Sequence, residues 1–149
     1  MRIHDDVRAL GRIVEVRRIQ RLAAEMQVAD AVAAIHQLEG SRGENLDRLW
    51  EQEASWSREV SGGRFNLHLA SVWSSAISIG EATIRQLSSR IDDAEDNKKR
   101  RCEDLHVAIA RADAAEDLAK AASRRLTRLR DEASLAEMAD RAARRGKGR

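Results

Sequence analysis

The chain has 149 residues, 35% of them charged, with no proline, no tyrosine, one phenylalanine and three tryptophans. A globular domain of this length normally spends more aromatics on its core and some prolines on its turns, so the composition suits long exposed helices with one narrow apolar stripe each. The formal net charge of only +2 is distributed unevenly, and the regular spacing of the apolar residues argues against a disordered polyelectrolyte.

In chain order, the N-terminal residues Met1 to Asp6 are charged and lack the apolar stretch of a secretory signal. Helix 1 is predicted from about Asp5 to Val60. Its apolar residues recur at helical spacing in groups: Val7, Leu10, Val14; Ile19, Leu22, Met26; Val28, Val32, Ile35; and Leu46, Leu49, Trp56, Val60. The phase drifts between groups, which predicts a stripe that winds around the helix. Gly40-Ser41-Arg42-Gly43 lies inside this span, and each glycine costs about 1 kcal/mol relative to alanine. A bend or frayed turn is expected there.

Ser61-Gly62-Gly63 is the strong stop of the sequence, and a turn is predicted over residues 61–64. Glycine accepts the left-handed backbone that ends a helix, and Ser61 or Asn66 could cap the next one. The uncharged run from Phe65 to Gly80 contains Asn66, His68 and four serines. It falls short of the roughly 20 mostly apolar residues of a membrane span.

Helix 2 is predicted from about Phe65 to Ala143, followed by a basic frayed tail at 144–149. From Ala70 to Ala136 a step of alternately three and four residues lands on Ala70, Trp73, Ile77, Gly80, Ile84, Leu87, Ile91, Ala94, Lys98, Arg101, Leu105, Ala108, Ala112, Ala115, Ala119, Ala122, Leu126, Leu129, Ala133 and Ala136. Lys98 and Arg101 alone are polar. A narrow seam of that length means one continuous helix packed along a partner helix.

At about 1.5 Å per residue the helices measure roughly 84 Å and 115 Å. A short turn between them predicts an all-α fold: a long antiparallel two-helix coiled-coil hairpin, with helix 2 overhanging at its C-terminal end. Folding back at the turn pairs residues whose numbers sum to about 126, setting Lys98 near Val28 and Arg101 near Glu25. An Arg101–Glu25 ion pair would then fix the register. The seam from Ala108 to Ala122 buries about three fewer carbons per position than leucine would, at roughly 0.8 kcal/mol each, which predicts a weakly held segment.

Residues 1–21 carry a net +3, residues 22–119 a net −7 and residues 120–149 a net +6. The hairpin gathers both basic segments at one end, near +9. Past about Leu126 helix 2 has no helix 1 beside it, yet Leu126, Leu129, Leu135 and Met138 continue an apolar stripe. Exposed apolar stripes rimmed with charge mark binding surfaces; a tail whose leucines pack only locally is the plainer alternative. Attraction to nucleic acid is weakened by Asp131, Glu132, Glu137 and Asp140 and by the lack of aromatics for stacking.

No chemistry of catalysis stands out. Cys102 is the single cysteine, so neither a disulfide framework nor a thiolate zinc site is expected, and a reducing compartment is. His4, His36, His68 and His106 are scattered along the hairpin, away from one another. There is no glycine-rich phosphate loop, zincin pair or nucleophile elbow. Clusters such as Asp92-Asp93-Ala94-Glu95-Asp96 read as a solvated helix face. The expectation is a non-enzymatic protein without cofactor or metal.

In size, in its serine-glycine turn near residue 62 and in its basic C-terminal end, the chain resembles the FliJ family, the small coiled-coil proteins of bacterial flagellar export related to injectisome stalk proteins. The local motifs are Arg64-Phe65-Asn66 opening helix 2 and the ending Glu137-Met138-Ala139-Asp140-Arg141-Ala142-Ala143-Arg144-Arg145. The resemblance implies a stalk. Its terminal end would enter the hexameric export ATPase through Arg124, Arg125, Arg128, Leu129, Leu135, Met138, Arg141, Arg144 and Arg145.

The start of helix 2 would contact the cytoplasmic domain of the export gate through Trp73, Ile77, Gly80 and Ile84. Ile84 departs from the polar or histidine side chain more familiar there. All four also fall on the seam and equally suit packing against helix 1. Export chaperones are further implied partners. The implied place is cytoplasmic, peripheral to the inner face of the cell membrane at the flagellar base, with no direct membrane insertion and a monomer in isolation. An injectisome stalk, a generic coiled-coil scaffold and a nucleic-acid binder are the rival readings.

Overall fold

The computed structural model describes residues 2–63 and 66–146. Two helices account for nearly all of them: α1 (Arg2–Ser61) and α2 (Leu67–Gly146). They pack against each other as a helical hairpin, with no strand among the described residues. The composition explains their length. Proline, which removes a backbone donor and breaks a helix interior, is absent, and alanine, leucine, arginine and glutamate are strong helix formers. Both helices reach slightly further than Asp5–Val60 and Phe65–Ala143 at their outer ends. The Arg64-Phe65 pair and the last three residues of the tail lie outside the described residues.

The turn is built by its glycines and one asparagine. Gly62 N–H still bonds back to the Arg58 carbonyl at 3.0 Å, and Gly63 then takes a φ of +75°, the left-handed region that ends a helix at low cost only for glycine. Asn66 opens α2: its Oδ1 accepts from the backbone N–H of His68 at 3.0 Å and of Leu69 at 3.4 Å. These are the amide positions that an N-cap side chain satisfies. Ser61, the other capping candidate, instead donates its hydroxyl to the Ser57 carbonyl at 2.7 Å.

α1 runs unbroken through Gly40 and Gly43, where the sequence predicts a bend or a frayed turn. Neither glycine has a positive φ, and the Asn45 amide donates to the Ser41 carbonyl at 2.8 Å. Buried and half-buried side chains on both sides, Ile35, Leu38 and Leu49, tie this stretch to α2. That packing outweighs the glycine cost of about 1 kcal/mol each.

The chain divides into two compact units, a turn unit (Met26–Glu103) and a terminal unit (Met1–Glu25 with Asp104–Arg149). In the turn unit, α2 presents the predicted seam from Ala70 to Arg101, and every member is buried or half-buried. α1 answers in the same seven-residue register with Val28, Ala31, Ile35, Leu38, Arg42, Asn45, Leu49, Gln52 and Trp56, again none of them exposed. Ala31, Ile35, Leu49, Leu87 and Ile91 form its buried core. Leu49 Cδ1 lies 3.2 Å from where a Cβ on Gly80 would sit, so glycine makes room for leucine at that seam position.

In the terminal unit the α1 seam is Val7, Leu10, Val14, Arg17, Arg21 and Ala24, and the α2 seam runs from Leu105 to Leu126. The alanine stretch is the best-buried part of the unit, with Ala112 at 3% exposure and Ala115 at 6%. Small side chains permit a close approach of the helices, and the half-buried Arg17 and Arg21 bring apolar stems to the α1 side of this seam.

Two sequence expectations change here. The α1 stripe does not wind: its register is as strict as that of α2, but Arg17, Arg21, Arg42, Asn45 and Gln52 occupy seam positions. Ile19 (59%), Leu22 and Met26 (68%), which the sequence groups with the stripe, face solvent. The register also differs. Arg101 donates to Gln27 Oε1 at 3.1 Å, a pair whose numbers (101 and 27) sum to 128 rather than 126. Glu25 accepts from Arg21 at 3.0 Å. The reason is where the helices stop and start: α1 ends at Ser61 and α2 begins at Leu67, positions whose numbers themselves sum to 128.

Candidate partner-binding surfaces

In the terminal unit, Leu126 is the last half-buried seam residue of α2; every residue from 127 to 145 is exposed. The overhang therefore starts where the sequence places it. Arg124, Arg125, Arg128, Arg141, Arg144 and Arg145 are all exposed, as are Leu129, Leu135 (63%) and Met138 (54%). Arg141 pairs with Glu137 at 3.6 Å on the same helix, a solvent-exposed contact worth at most about 0.5 kcal/mol. Arg144 and Arg145 stand in the last turn of α2, where the helix dipole favours positive charge.

The charges of this segment are sorted into blocks. Residues 124–130 hold four arginines and no acid; residues 131–140 hold Asp131, Glu132, Glu137 and Asp140 and no base; Arg141, Arg144 and Arg145 follow. The overhang is thus an alternating rather than a uniform positive surface. A partner would need matching acidic and basic patches.

A second surface of the terminal unit escapes sequence reading altogether. Ile13, Val16, Ile19 and Leu22 are exposed on α1 at positions off the seam, winding around the helix at three-residue steps. Ile13 and Val16, with Arg12, Arg17 and Gln20, border a shallow open depression. The available signal is that these apolar residues do not fit the strict register carried by Val7, Leu10 and Val14. Beside them, Arg18 Nε donates to Glu116 Oε1 at 3.1 Å, its Nη2 lies 3.1 Å from the same oxygen as an ion pair, and Lys120 lies 3.8 Å from the same carboxylate. The pKa of Arg21 is raised, first by its hydrogen bond to Glu25 and by that carboxylate's charge, with Asp113 and Glu116 adding to it. Its guanidinium is charged at every ordinary pH.

In the turn unit, Trp73, Ile77, Gly80 and Ile84 are all half-buried seam residues. Trp73 borders a shallow cleft with Arg48, Glu51, Gln52 and Ser55 of α1, and Gly80 lies beneath Leu49. One position earlier on α2 runs a second stripe with the same three-four spacing: Leu69, Val72, Ala76, Ile79 and Thr83. Leu69, Val72 (53%) and Ile79 (67%) are exposed, while Ala76 and Thr83 are half-buried. The spacing alone does not distinguish the two stripes, and burial does.

His68 and His106 are exposed, and His36 lies 3.7 Å from Glu39. Among the described residues no group of three or more histidine, cysteine or acidic side chains is placed to hold a metal ion. No helix among them is long and apolar enough to cross a membrane. Compared with protein-family models, with curated proteins and with solved structures, the chain matches none.

Proposed function

We propose that the chain is a non-enzymatic stalk of the FliJ type in the bacterial flagellar export apparatus. On this reading it inserts its terminal end into the export ATPase hexamer and links that ring to the cytoplasmic domain of the export gate. It would work in the cytoplasm, peripheral to the inner face of the membrane at the flagellar base, and export chaperones form a further class of partner.

The observation that carries the reading is the overhang of α2. A helix of about 20 residues without tertiary packing is marginal in water, and this one exposes leucines and a methionine between blocks of charge. A surrounding partner would supply the missing contacts, with the charges setting orientation and speeding encounter. Trp73, Ile77, Gly80 and Ile84 are turned toward α1, so the gate is better served by the exposed Val72 and Ile79 of the adjacent stripe.

The test is co-purification with the flagellar export ATPase of the same organism and measurement of ATP hydrolysis. Removing residues 126–149 should leave most helicity in place and abolish stimulation of the ATPase; an undiminished stimulation would overturn the reading. An injectisome stalk would need the same geometry, and capture of the injectisome ATPase instead would identify it.

A further inference from the structure

The two units fasten α1 to very different degrees. In the turn unit the buried side chains include Ile35 and Leu49 on α1 and Leu87 and Ile91 on α2. In the terminal unit, among the described residues, no side chain larger than alanine is buried: Ala24 on α1, and Ala112 and Ala115 on α2. Val7, Leu10 and Val14 of α1 are half-buried, and Arg17 and Arg21 take the next two seam positions. Apolar area removed from water is what joins two helices, so the first 25 residues of α1 are held by far less than residues 26–61.

The polar contacts do not make up the difference. Arg17 donates to Gln20 at 2.9 Å and Arg21 to Glu25 at 3.0 Å, and both bonds lie within α1. They survive a separation from α2 and therefore do not oppose it. Arg18 does reach across to Glu116 at 3.1 Å, but its side chain is 57% exposed, and an ion pair open to water contributes little. A helix of about 25 residues is marginal in water without packing, so a segment that leaves α2 does not keep its amides protected.

We propose that α1 up to Glu25 is a detachable strap, which opens from the alanine seam in one cooperative step while the turn unit stays zipped. The step ends where the terminal unit gives way to the turn unit, between Glu25 and Met26. Opening uncovers the α2 seam from Leu105 to Leu126, which continues into the exposed Leu129 and Leu135 of the overhang. The open form thus presents about 30 residues of α2, roughly 45 Å, where the closed form presents the overhang alone. The strap is a property of the isolated chain and does not rest on the export reading.

Hydrogen exchange of the full chain without any partner tests it. Amides from Val7 to Ala24 should share one level of protection, roughly tenfold or more below that of amides from Ala31 to Leu49. Their protection should fall with added denaturant, at a smaller slope than global unfolding, because the step exposes only part of the seam. Leu87→Ala should lower protection of the Ala31–Leu49 amides roughly thirtyfold or more and leave the Val7–Ala24 amides unchanged, since strap opening does not involve Leu87. Where Leu87→Ala unfolds the chain, Ile91→Val makes the same comparison with a smaller loss. Equal protection in the two segments would overturn the proposal. So would a gradient rising steadily from the N-terminus with no denaturant dependence, which is simple fraying, or a core substitution that lowers both segments together.

Discussion

The two units share one register and differ in what fills it. The turn unit packs isoleucine, leucine and tryptophan between its helices, and its buried core is Ala31, Ile35, Leu49, Leu87 and Ile91. The terminal unit packs alanine on α2 against arginine-bearing positions on α1, and among its described residues the buried ones are all alanine: Ala24, Ala112 and Ala115. A seven-residue register therefore specifies how helices face each other without specifying how strongly they hold. Strength comes from the area that each seam residue removes from water.

Substitutions can test that difference directly. The largest effect is expected at the turn-unit core, where Leu87→Ala or Ile91→Ala should cost about 2–5 kcal/mol in chemical denaturation. A loss below ~1 kcal/mol would mean that the apolar seam does not dominate. Trp73→Ala, at a half-buried seam position, should lower stability less but measurably, while Ile79→Ser on the adjacent exposed stripe should stay within about 0.5 kcal/mol of the parent. Reversed magnitudes would exchange the assignments of the two stripes.

In the terminal unit the expected defect is overpacking. Ala112→Leu should destabilise by about 1–3 kcal/mol through forced separation of the helices, whereas a stabilising leucine would show that space had been left unfilled. Gly40→Ala with Gly43→Ala tests the unbroken α1 in the opposite direction. Neither new Cβ meets an atom within 4 Å, so a gain of up to about 1 kcal/mol for each is expected. The smallest effect belongs to Arg18→Ala. It removes a pair in which the arginine side chain is 57% exposed, worth ~0–1 kcal/mol and still less at high salt.

How much of this was legible follows from the seam residues themselves. The α2 register could be read directly because its seam is apolar apart from Lys98 and Arg101, and all its members through Leu126 are buried or half-buried. The α1 register was hidden because Arg17, Arg21 and Gln52 look like surface residues, while Ile19, Leu22 and Met26 look like core. Long polar side chains can lay their stems along a seam and keep their heads in water, and a hydropathy pattern does not record that. The turn was recognisable from its glycines, yet the facing partners were displaced because α2 begins only at Leu67, after the Asn66 cap. Among the candidate contacts, the overhang residues were placed correctly as exposed. The exposure of Ile19 and Leu22 went unseen because their spacing groups them with the stripe, while Ile13 and Val16 fit none of the stripe's groups.

The alanine seam bears on girth as well as on strength. Helix axes joined across small side chains can approach to about 8 Å, against about 10 Å across bulky ones. The segment around Ala112 and Ala115 would then have a slimmer cross-section than the segment around Leu87 and Ile91. Girth is thereby set segment by segment, by the side chains that each seam carries.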